Sequence, residues 1–505
     1  IRDEGAQKYS AVRLFIETAR RARSDFRLQQ DDLAHIVQIC HMVEGMPLGI
    51  RLAAAWVETI SPEEIITEIA HSLDLLETDL IDVPERQRSI RALYDYSWSI
   101  LLERERDVLQ AFSVFRGGCT LEAARQVTGA TLRDLRGLVD KSMLQRVLNG
   151  RYEIHELSRE YAAGKLDENP ELSEVTHSRH SAYYCNAVEK WGNDLKSKRQ
   201  EIALTEMDLE IENARAAWHW AVEERRTELL NISMEGFRHY FAIRSLIQEA
   251  EINFHQAAKH LQSGSSVEQL RVYAGLLICQ GYFTYGYARE RKKDLYQQSL
   301  ILLDYLESLG QEVQYEKAKA LNFLGEVSST SGLDESLRFY KQSLSLFNQS
   351  GDYFWASDLL TGLGRAYLIW GKLELAHQYL QQSLLILRKL GDRRNIAKTL
   401  LLITWLFMRQ GRYKQAVSVA QERLEIYDSI GDQSAIADGQ AELGACIGLL
   451  GDFKKEELLL EKAMEVHHEM EYYTEFFEDA RYQSLNKLDQ GKYQQAYDLA
   501  QYALD

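Results

Sequence analysis

Few residues in this sequence are spaced so that they could carry out chemistry. The patterns GxxxxGKS/T, HExxH and GxSxG, which mark phosphate-binding loops, zinc peptidases and serine hydrolases, do not occur in it. His155 is the clearest candidate, in the run YEIHEL between an expected strand and an expected helix. An imidazole N–H can donate to a phosphate oxygen, and the charge of the ring changes near neutral pH. The alternative is a structural histidine whose hydrogen bonds are satisfied inside that junction.

The elements that would position His155 are expected within Leu144–Ala163. Asn149-Gly150 predicts a hairpin, because both residues tolerate the positive φ of a type I′ turn. The chain returns through Arg151–Ile154 and enters a helix at His155. A hairpin that follows helices and precedes another helix is typical of a winged-helix domain, and Leu132–Lys141 occupies the position of its recognition helix.

Length and charge limit the classes of protein to consider. A chain of 505 residues is too long for one hydrophobic core, so several domains are expected. The net charge of -17 argues against a protein whose whole surface binds nucleic acid or anionic membrane, although a local basic patch is compatible with it. No apolar run reaches the ~18 residues of a membrane span, and the five isolated cysteines are typical of reduced, buried thiols. We therefore expect a cytoplasmic protein without a membrane segment.

Proline placement predicts a mostly helical protein. The four prolines are Pro47, Pro62, Pro84 and Pro170. None follows over residues 171–505, and because an interior proline costs a helix about 3 kcal/mol, this long stretch suits consecutive long helices. Near the start of the chain, Gly45-Met46-Pro47 predicts a helix break and then a new helix with proline in its first turn.

A period of about 40 residues runs through the second half of the chain. The recurring residues are Gly-Asp pairs at Gly351, Gly391 and Gly431, further glycines at Gly332, Gly371, Gly411, Gly451 and Gly491, and small residues at Ala376, Ala416 and Ala496. This pattern resembles the tetratricopeptide repeat in a long-helix version. Glycine would end the first helix of each unit, and Gly-Asp would turn the chain into the next unit. Stacked units form a superhelical solenoid with a concave groove.

The concave face of the repeats is where a partner is expected to bind. The candidate groove residues are Arg365, Trp370, Arg394 and Trp405. For Trp405, which lies close to a repeat glycine, the alternative is packing in the core. The expected occupant of the groove is a protein or a small-molecule inducer.

The N-terminal third resembles a family of bacterial switch proteins. The runs AVRLFIETARRARSDF, EGMPLGIRLAAAW, SPEEI, RQRSIRALYDYSWSIL and ERDVLQAFSVFRGGCTLEAARQVTG are similar to the signal-transduction ATPases with numerous domains (STAND), relatives of the NB-ARC proteins. Gly45-Met46-Pro47-Leu48 stands where the family has Gly-Leu-Pro-Leu, and Ile154-His155-Glu156 stands where it has Met-His-Asp. The expected domains are a helical subdomain (1–84), a winged helix (85–168), a helical connector (169–265) and repeats (266–505).

The resemblance also implies two nucleotide contacts. His155 would contact the β-phosphate of bound ADP, and Pro47 would pack on the base, although Glu156 is longer than the family's aspartate. For Pro47 the alternative is a plain helix start. The sequence begins at Ile1 and lacks the core that binds phosphates and Mg²⁺, so the resemblance implies a core upstream. We expect no enzyme activity from this chain alone, whereas ADP or ATP with Mg²⁺ is implied for a longer parent protein.

Three functions remain open at this point. The resemblance favours the regulatory and sensor part of a STAND-type protein, in which the repeats bind an inducer, bias the ADP/ATP switch and lead to self-association, often to control transcription. A second hypothesis is a nucleotide-independent repeat scaffold that binds proteins. A third is a DNA-binding regulator, which two aspartates on the expected recognition helix argue against. The basic residues that favour it are Arg133, Arg136 and Lys141 on that helix, and Arg146 and Arg151 in the hairpin.

Overall fold

The computed structural model describes residues 9–23, 26–28, 32–43, 45, 47–71, 90–284, 289–350, 352–469, 479–484, 487–488 and 490–504. Within these ranges the chain is almost entirely α-helical, with one two-stranded sheet. The mostly helical fold class predicted from the sequence is thereby confirmed. The chain divides into two compact units, Ile1–Tyr184 with Glu210–Trp220, and Cys185–Leu209 with Ala221–Asp505.

The first unit contains nine of the described helices and a short hairpin. Its helices are α1 (Ser10–Ala22), α2 (Asp32–Met42), α3 (Pro47–Ala55), α4 (Pro62–His71), α5 (Ile90–Ser99), α6 (Glu103–Phe112), α7 (Leu121–Thr128), α8 (Leu132–Asp140) and α9 (Glu156–Asp167). A 3-10 turn, Trp56–Glu58, follows α3. The antiparallel strands are β1 (Gln145–Arg146) and β2 (Tyr152–Glu153). Two long helices, α10 (Pro170–Asp194) and α11 (Gln200–Glu223), contribute residues to both units.

Local capping sets where α3 and α4 begin. Gly45 has a φ of +71°, and its N–H donates to the carbonyl of Cys40 at 2.8 Å, just past the end of α2. The Ser61 hydroxyl accepts the amide of Glu64 at 3.2 Å, while the Glu64 carboxylate accepts the Ser61 amide at 2.7 Å. Both helices therefore start at the prolines that the sequence placed in their first turns.

One hydrophobic core joins α1–α4 to α5 and α9. Phe15 and Ile36 are fully buried in it, together with Leu157 of α9. Tyr161 of α9 stacks on Tyr94 of α5, with ring centroids 5.5 Å apart. Each large apolar side chain buried in this way contributes about 1.5–3 kcal/mol. The shared core therefore holds the start of α9 in place against the N-terminal helices.

The hairpin turn differs from the predicted type I′ turn. Gly150 has a φ of +81°, but Asn149 does not take a positive φ. The Gly150 N–H donates to the Val147 carbonyl at 2.8 Å, and the Val147 N–H donates to the Arg151 carbonyl at 3.0 Å. The prediction is wrong because the Asn149 side chain accepts the Arg151 amide at 3.1 Å, a local bond that suits a negative φ and leaves only the glycine left-handed.

The second unit is built from consecutive helix pairs. After α12 (Thr227–Ile243) and α13 (Ile247–Leu261), the chain continues through α14 (Val267–Phe283), α15 (Arg289–Ser308), α16 (Gln314–Ser328), α17 (Leu333–Ser350), α18 (Tyr353–Ile369), α19 (Leu373–Leu390), α20 (Arg393–Arg409), α21 (Tyr413–Ile430), α22 (Gln433–Gly448), α23 (Phe453–Glu469) and α24 (Tyr493–Leu504). From α14 to α23 each even-numbered helix packs closely on the odd-numbered helix after it. This arrangement is the helical repeat array that the 40-residue period predicts.

The Gly-Asp pairs end one helix and begin the next. Gly391 follows α19 with a φ of +79°, and the Asp392 carboxylate then accepts a first-turn amide of α20 at 3.1 Å. Gly431-Asp432 does the same between α21 and α22. Asp352 caps α18 in this way, whereas Gly351 lies outside the described residues. The predicted turn function of Gly-Asp is therefore confirmed at the two pairs that are fully described.

Two glycines let α10 and α12 approach at backbone distance. A Cβ placed on Gly192 would lie 2.6 Å from the Cα of Gly236, and one on Gly236 would lie 2.3 Å from the carbonyl oxygen of Val188. No side chain fits at either position without moving a helix. The contact fixes α12, and with it the charged side chains that α12 contributes to the repeat array.

The structure also bears on the expected domain boundaries, the cysteines, and the possibility of membrane or metal-binding segments. The boundary expected at residue 84 lies outside the described residues, and the boundary expected at residue 168 falls in the turn between α9 and α10. All five cysteines are buried, and none forms a disulfide. Among the helices that are described, none is both long and apolar enough to cross a membrane. No group of three or more His, Cys, Asp or Glu side chains within these ranges is placed to hold a metal ion.

Candidate functional site

Charged and aromatic side chains surround two small adjoining cavities in the repeat array. The first cavity, of about 30 Å³, is lined mainly by α12, α14, α16, α18 and α20. The second, of about 10 Å³, is lined by α16, α17, α18 and α20. Asp358 and Lys398 line both cavities. The even-numbered helices therefore present one continuous polar surface, which we call the inner face.

Glu235 of α12 organises one side of this cluster. Its carboxylate accepts from Arg238 at 2.8 Å and also pairs with Lys319 of α16. Burial by itself would raise the pKa of Glu235, but the two cations outweigh burial and hold that pKa well below its usual range. The Arg238 guanidinium lies 5.3 Å from the ring centroid of Tyr282 and 5.4 Å from that of Trp355.

Asp358 of α18 organises the other side. It accepts from the Asn322 amide at 2.7 Å, and the Lys398 ammonium lies 3.5 Å from its other oxygen. Burial opposes the charge of Lys398, but Asp358 and Glu326 raise the pKa of this lysine above its usual value. Arg365 lies 2.9 Å from Glu326. Burial would raise the pKa of Glu326, yet Arg365 and Lys398 lower it to about 2.

Two cations of the cluster lack a carboxylate partner. Among the described residues, no Asp or Glu oxygen lies within ion-pair distance of Arg394 or Lys196. Arg394 lines the first cavity, and the Lys196 ammonium lies 5.3 Å from the ring centroid of Phe354 on the same wall. Burial, reinforced by Arg238, lowers the pKa of His239 well below its usual value, so this neighbouring ring is neutral at physiological pH. The inner face therefore carries a surplus of positive charge.

The four groove residues named from the sequence lie in two different settings. Arg365 and Arg394 line the cavities. Trp370 follows α18, is 45% exposed, and donates its indole N–H to the carbonyl of Ser329 at 2.8 Å. Trp405 is 42% exposed, so it is not the core residue that the alternative proposed. Neither tryptophan lines either of these two cavities.

His155 is the N-cap residue of α9 in the first unit. Its Nδ1 accepts the amide of Leu157 at 3.3 Å. Because Nδ1 accepts, the proton of the neutral ring lies on Nε2. Hydrogen bonds from Arg159, opposed by burial and supported by the charge of Arg116, lower the pKa of the adjacent Glu156. The structure thus places His155 at the start of α9, and the phosphate contact implied by the resemblance stays a prediction.

Pro47 starts α3 and is exposed. Pro47 therefore lies where the helix-start alternative expects it, and its rigid apolar ring is exposed on the first unit. The base contact implied by the resemblance stays a prediction.

The basic residues considered for DNA contact are not equally available. Arg151 is 7% exposed and forms a two-point ion pair with Glu210 of α11. Lys141 pairs with the buried carboxylate of Glu105. Both cations therefore form ion pairs with buried carboxylates of the first unit. The exposed members of the set are Arg133, Arg136 and Arg146.

Spacing by one repeat explains many contacts of the inner face. Lys398 follows its partner Asp358 by 40 positions, and Trp355 donates to the hydroxyl of Tyr315, 40 positions before it, at 2.7 Å. Equivalent positions on successive inner helices are neighbours, so a search for complementary residues one period apart could have found these pairs. No such signal marks Arg238, which lies before the periodic region.

Comparisons with known proteins agree with this fold. Residues 316–389 match the tetratricopeptide repeat family. The crystal structure of a Signal Transduction ATPase with Numerous Domains (STAND) protein with a tetratricopeptide repeat sensor, from Pyrococcus horikoshii, superposes with a TM-score of 0.53 at 16% identity. That similarity covers 98% of this chain and 65% of the other, and at this identity it shows the fold alone.

Two sequence relatives come from Mycobacterium tuberculosis. One, provisionally named an HTH-type transcriptional regulator, is 31% identical over 234 residues, which are 44% of this chain and 26% of that protein. The other, an uncharacterized protein, is 34% identical over 178 residues, which are 33% of this chain and 45% of that protein. The chain thus spans about a quarter and less than half of these relatives. It is a mostly helical protein with tetratricopeptide repeats, and its fold is similar to that of a STAND protein.

Proposed function

We propose that this chain is the regulatory and sensor part of a STAND-type signalling protein. In this proposal the inner face of the repeats binds an inducer, and the helices around His155 belong to an ADP/ATP switch that inducer binding releases, with self-association as the result. The observation that carries the proposal is the cluster around Asp358 and Lys398. Burying ionised groups costs free energy, so a purely structural repeat array is better served by apolar side chains at these positions. The provisional name of one relative favours a transcriptional output.

His155 and Pro47 are chemically suited to the nucleotide contacts that the resemblance implies. With Nδ1 bonded to the Leu157 amide, the neutral ring carries its N–H on Nε2, which is the donor that a phosphate contact would use. The position at the start of α9 adds the partial positive charge of a helix N-terminus. The exposed Pro47 ring offers an apolar surface to a base. A bound nucleotide would supply the difference between the ADP and ATP states, and its remaining contacts would come from a phosphate-binding core that this sequence does not contain.

The nucleotide part of the proposal is tested by two substitutions of His155 in the protein in which this chain is joined to its nucleotide-binding core. His155→Ala removes the ring. His155→Asp retains a good helix cap but places a negative charge near the phosphate. After purification, we expect the ADP content of both variants to be lower than that of the wild type by a factor of about ten or more. A hydrogen bond to a charged group is worth about 1.5–3 kcal/mol, and both variants lose it.

The control for this experiment is His260→Ala, since His260 is an exposed residue of α13. This variant should retain as much ADP as the wild type. Equal ADP occupancy in the wild type and in both His155 variants would reject the switch and favour a nucleotide-independent scaffold. A loss confined to His155→Ala would point to the capping role of the histidine, because His155→Asp keeps the cap.

A further inference from the structure

The charges of the inner face do not balance. The cations in or against the two cavities are Lys196, Arg238, Lys319, Arg365, Arg394 and Lys398. The carboxylates are Glu235, Glu326, Asp352, Asp358 and Asp392. Five acids thus face six cations, inside a chain whose net charge is -17. A local surplus of the opposite sign is therefore a specific feature of this surface.

The existing carboxylates are already occupied. Glu235 is shared by Arg238 and Lys319. Asp392 caps α20, and its side chain accepts from the amides of Asn395 and Gln200. Asp392 therefore acts on Arg394, and Glu235 on Lys196, only from beyond ion-pair distance.

The walls around these cations favour a strong interaction with an anion. Arg394 shares the first cavity with the rings of Tyr282, Phe323, Phe354 and Trp355. Apolar walls exclude water and lower the local dielectric, so a charged hydrogen bond is stronger there than on an open surface. The cavity volume of about 30 Å³ has room for about two water molecules, and a compact acid group could take their place.

We propose that the inner face binds an organic anion, with a carboxylate or phosphate group seated between Arg394 and Lys398 and balanced by Lys196. This inference rests on the proposed role of the repeats as a sensor and specifies the chemistry of the inducer. The acid group occupies the small cavity, and the rest of the ligand extends along the groove. The aromatic rings of the first cavity form the apolar part of the wall around the acid group.

The test uses the 505-residue chain and measures its unfolding temperature and binding heats at constant ionic strength. The probes are inorganic phosphate, citrate, and a five-residue peptide with either a free or an amidated C-terminus, each compared with sodium chloride. We expect at least one oxyanion to stabilise the protein beyond chloride. Arg394→Met should weaken its binding at least about tenfold, because a charge-assisted hydrogen bond is lost. Which probe is active distinguishes a free acid, a phosphate and a peptide terminus as the source of the group.

Two further variants make the result specific. Lys196→Met removes the second cation without an ion-pair partner and should also weaken binding. Arg388→Met is the matched control, because Arg388 belongs to α19, is 53% exposed, and pairs with Glu422 outside the cavities. It should bind like the wild type. Circular dichroism of each variant checks that the helices are intact.

The proposal is overturned if no oxyanion exceeds chloride, or if Arg394→Met and Lys196→Met bind as tightly as the wild type. This failure is separable from failure of the proposed function. If ADP retention still depends on His155, the switch stands and only the ligand chemistry is wrong. If oxyanions bind through Arg394 but His155 has no effect on ADP, the binding site stands without the switch.

Discussion

Replacing Arg151 by methionine should loosen the hairpin from α11 in the first unit. The guanidinium donates to both oxygens of Glu210 and, at 3.0 Å, to the carbonyl of Gly118. Glu210 also accepts from Tyr184 and from Asn213, each at 3.1 Å. Both members of the ion pair are 7% exposed. The substitution therefore leaves a buried carboxylate with two neutral donors and no cation.

The size of the effect follows from that unpaired carboxylate. Removing one partner of a buried ion pair costs about 3–5 kcal/mol, whereas replacing both partners by apolar groups is often close to neutral. The hydrogen bonds from Tyr184 and Asn213 remain, so we expect about 3 kcal/mol for Arg151→Met. The double variant Arg151→Met with Glu210→Leu should recover most of this loss. Arg136→Met should change stability by no more than about 0.5 kcal/mol, because the Arg136 side chain is 82% exposed.

Hydrogen exchange is the appropriate assay, because a chain with two compact units does not unfold as one two-state system. The amides of Cys119 and Tyr152 donate to each other's carbonyls at 2.9 Å and report directly on the hairpin. A loss of 3 kcal/mol corresponds to roughly 10²-fold faster exchange of these amides. Unchanged protection in Arg151→Met, or no recovery in the double variant, would refute the account of the ion pair.

Two other predictions concern the second unit. Hydrogen bonds to Asp438 and Asp479 outweigh burial and raise the pKa of His467 to about 10. The protonated His467 therefore stabilises the folded unit fully below pH 6.5, and this stabilisation is lost as the pH rises towards 10. His467→Gln should therefore be about 1.5–3 kcal/mol less stable than the wild type at pH 6 and nearly equal to it above pH 10, as measured by hydrogen exchange of α23 at several pH values. Gly236→Ala should destabilise α12 by about 1–3 kcal/mol, as measured by hydrogen exchange of its amides, since the added Cβ has no room. The control Gly164→Ala, in an exposed part of α9 with open space around it, should instead stabilise its helix by about 0.5–1 kcal/mol, and the same sign for both would contradict the packing argument.

The candidate site shows where inference from the sequence stops. Arg365 and Arg394 were placed in the groove because the repeat period defines a concave face, and both line the cavities. The same reasoning included Trp370 and Trp405, which do not line them. A period of 40 residues fixes the order of the helices but not the rotation of each helix about its axis. Adjacent residues on a helix point about 100° apart, so the period alone does not say which of them line the cavities.

Arg151 shows the same limit for charge. In the sequence it counts as one of several basic residues in a hairpin, and that count favoured contact with DNA. In the folded chain its partner is Glu210, 59 positions later, and the pair is buried. No local pattern joins these two residues, because their distance depends on how α11 packs against the hairpin.

The sequence by itself determined the features that depend on neighbouring residues. Glycine after a helix, aspartate or proline at the start of the next, and a 40-residue period were enough to define a helical repeat protein, because capping and helix propensity act within a few positions. The tertiary structure decided which charges are paired and which are not. Among the described residues, no Asp or Glu lies within ion-pair distance of Arg394, whereas Lys398, one turn further along α20, pairs with Asp358. That difference arises from burial and from contacts between separate helices, and it is what makes the inner face a candidate anion site.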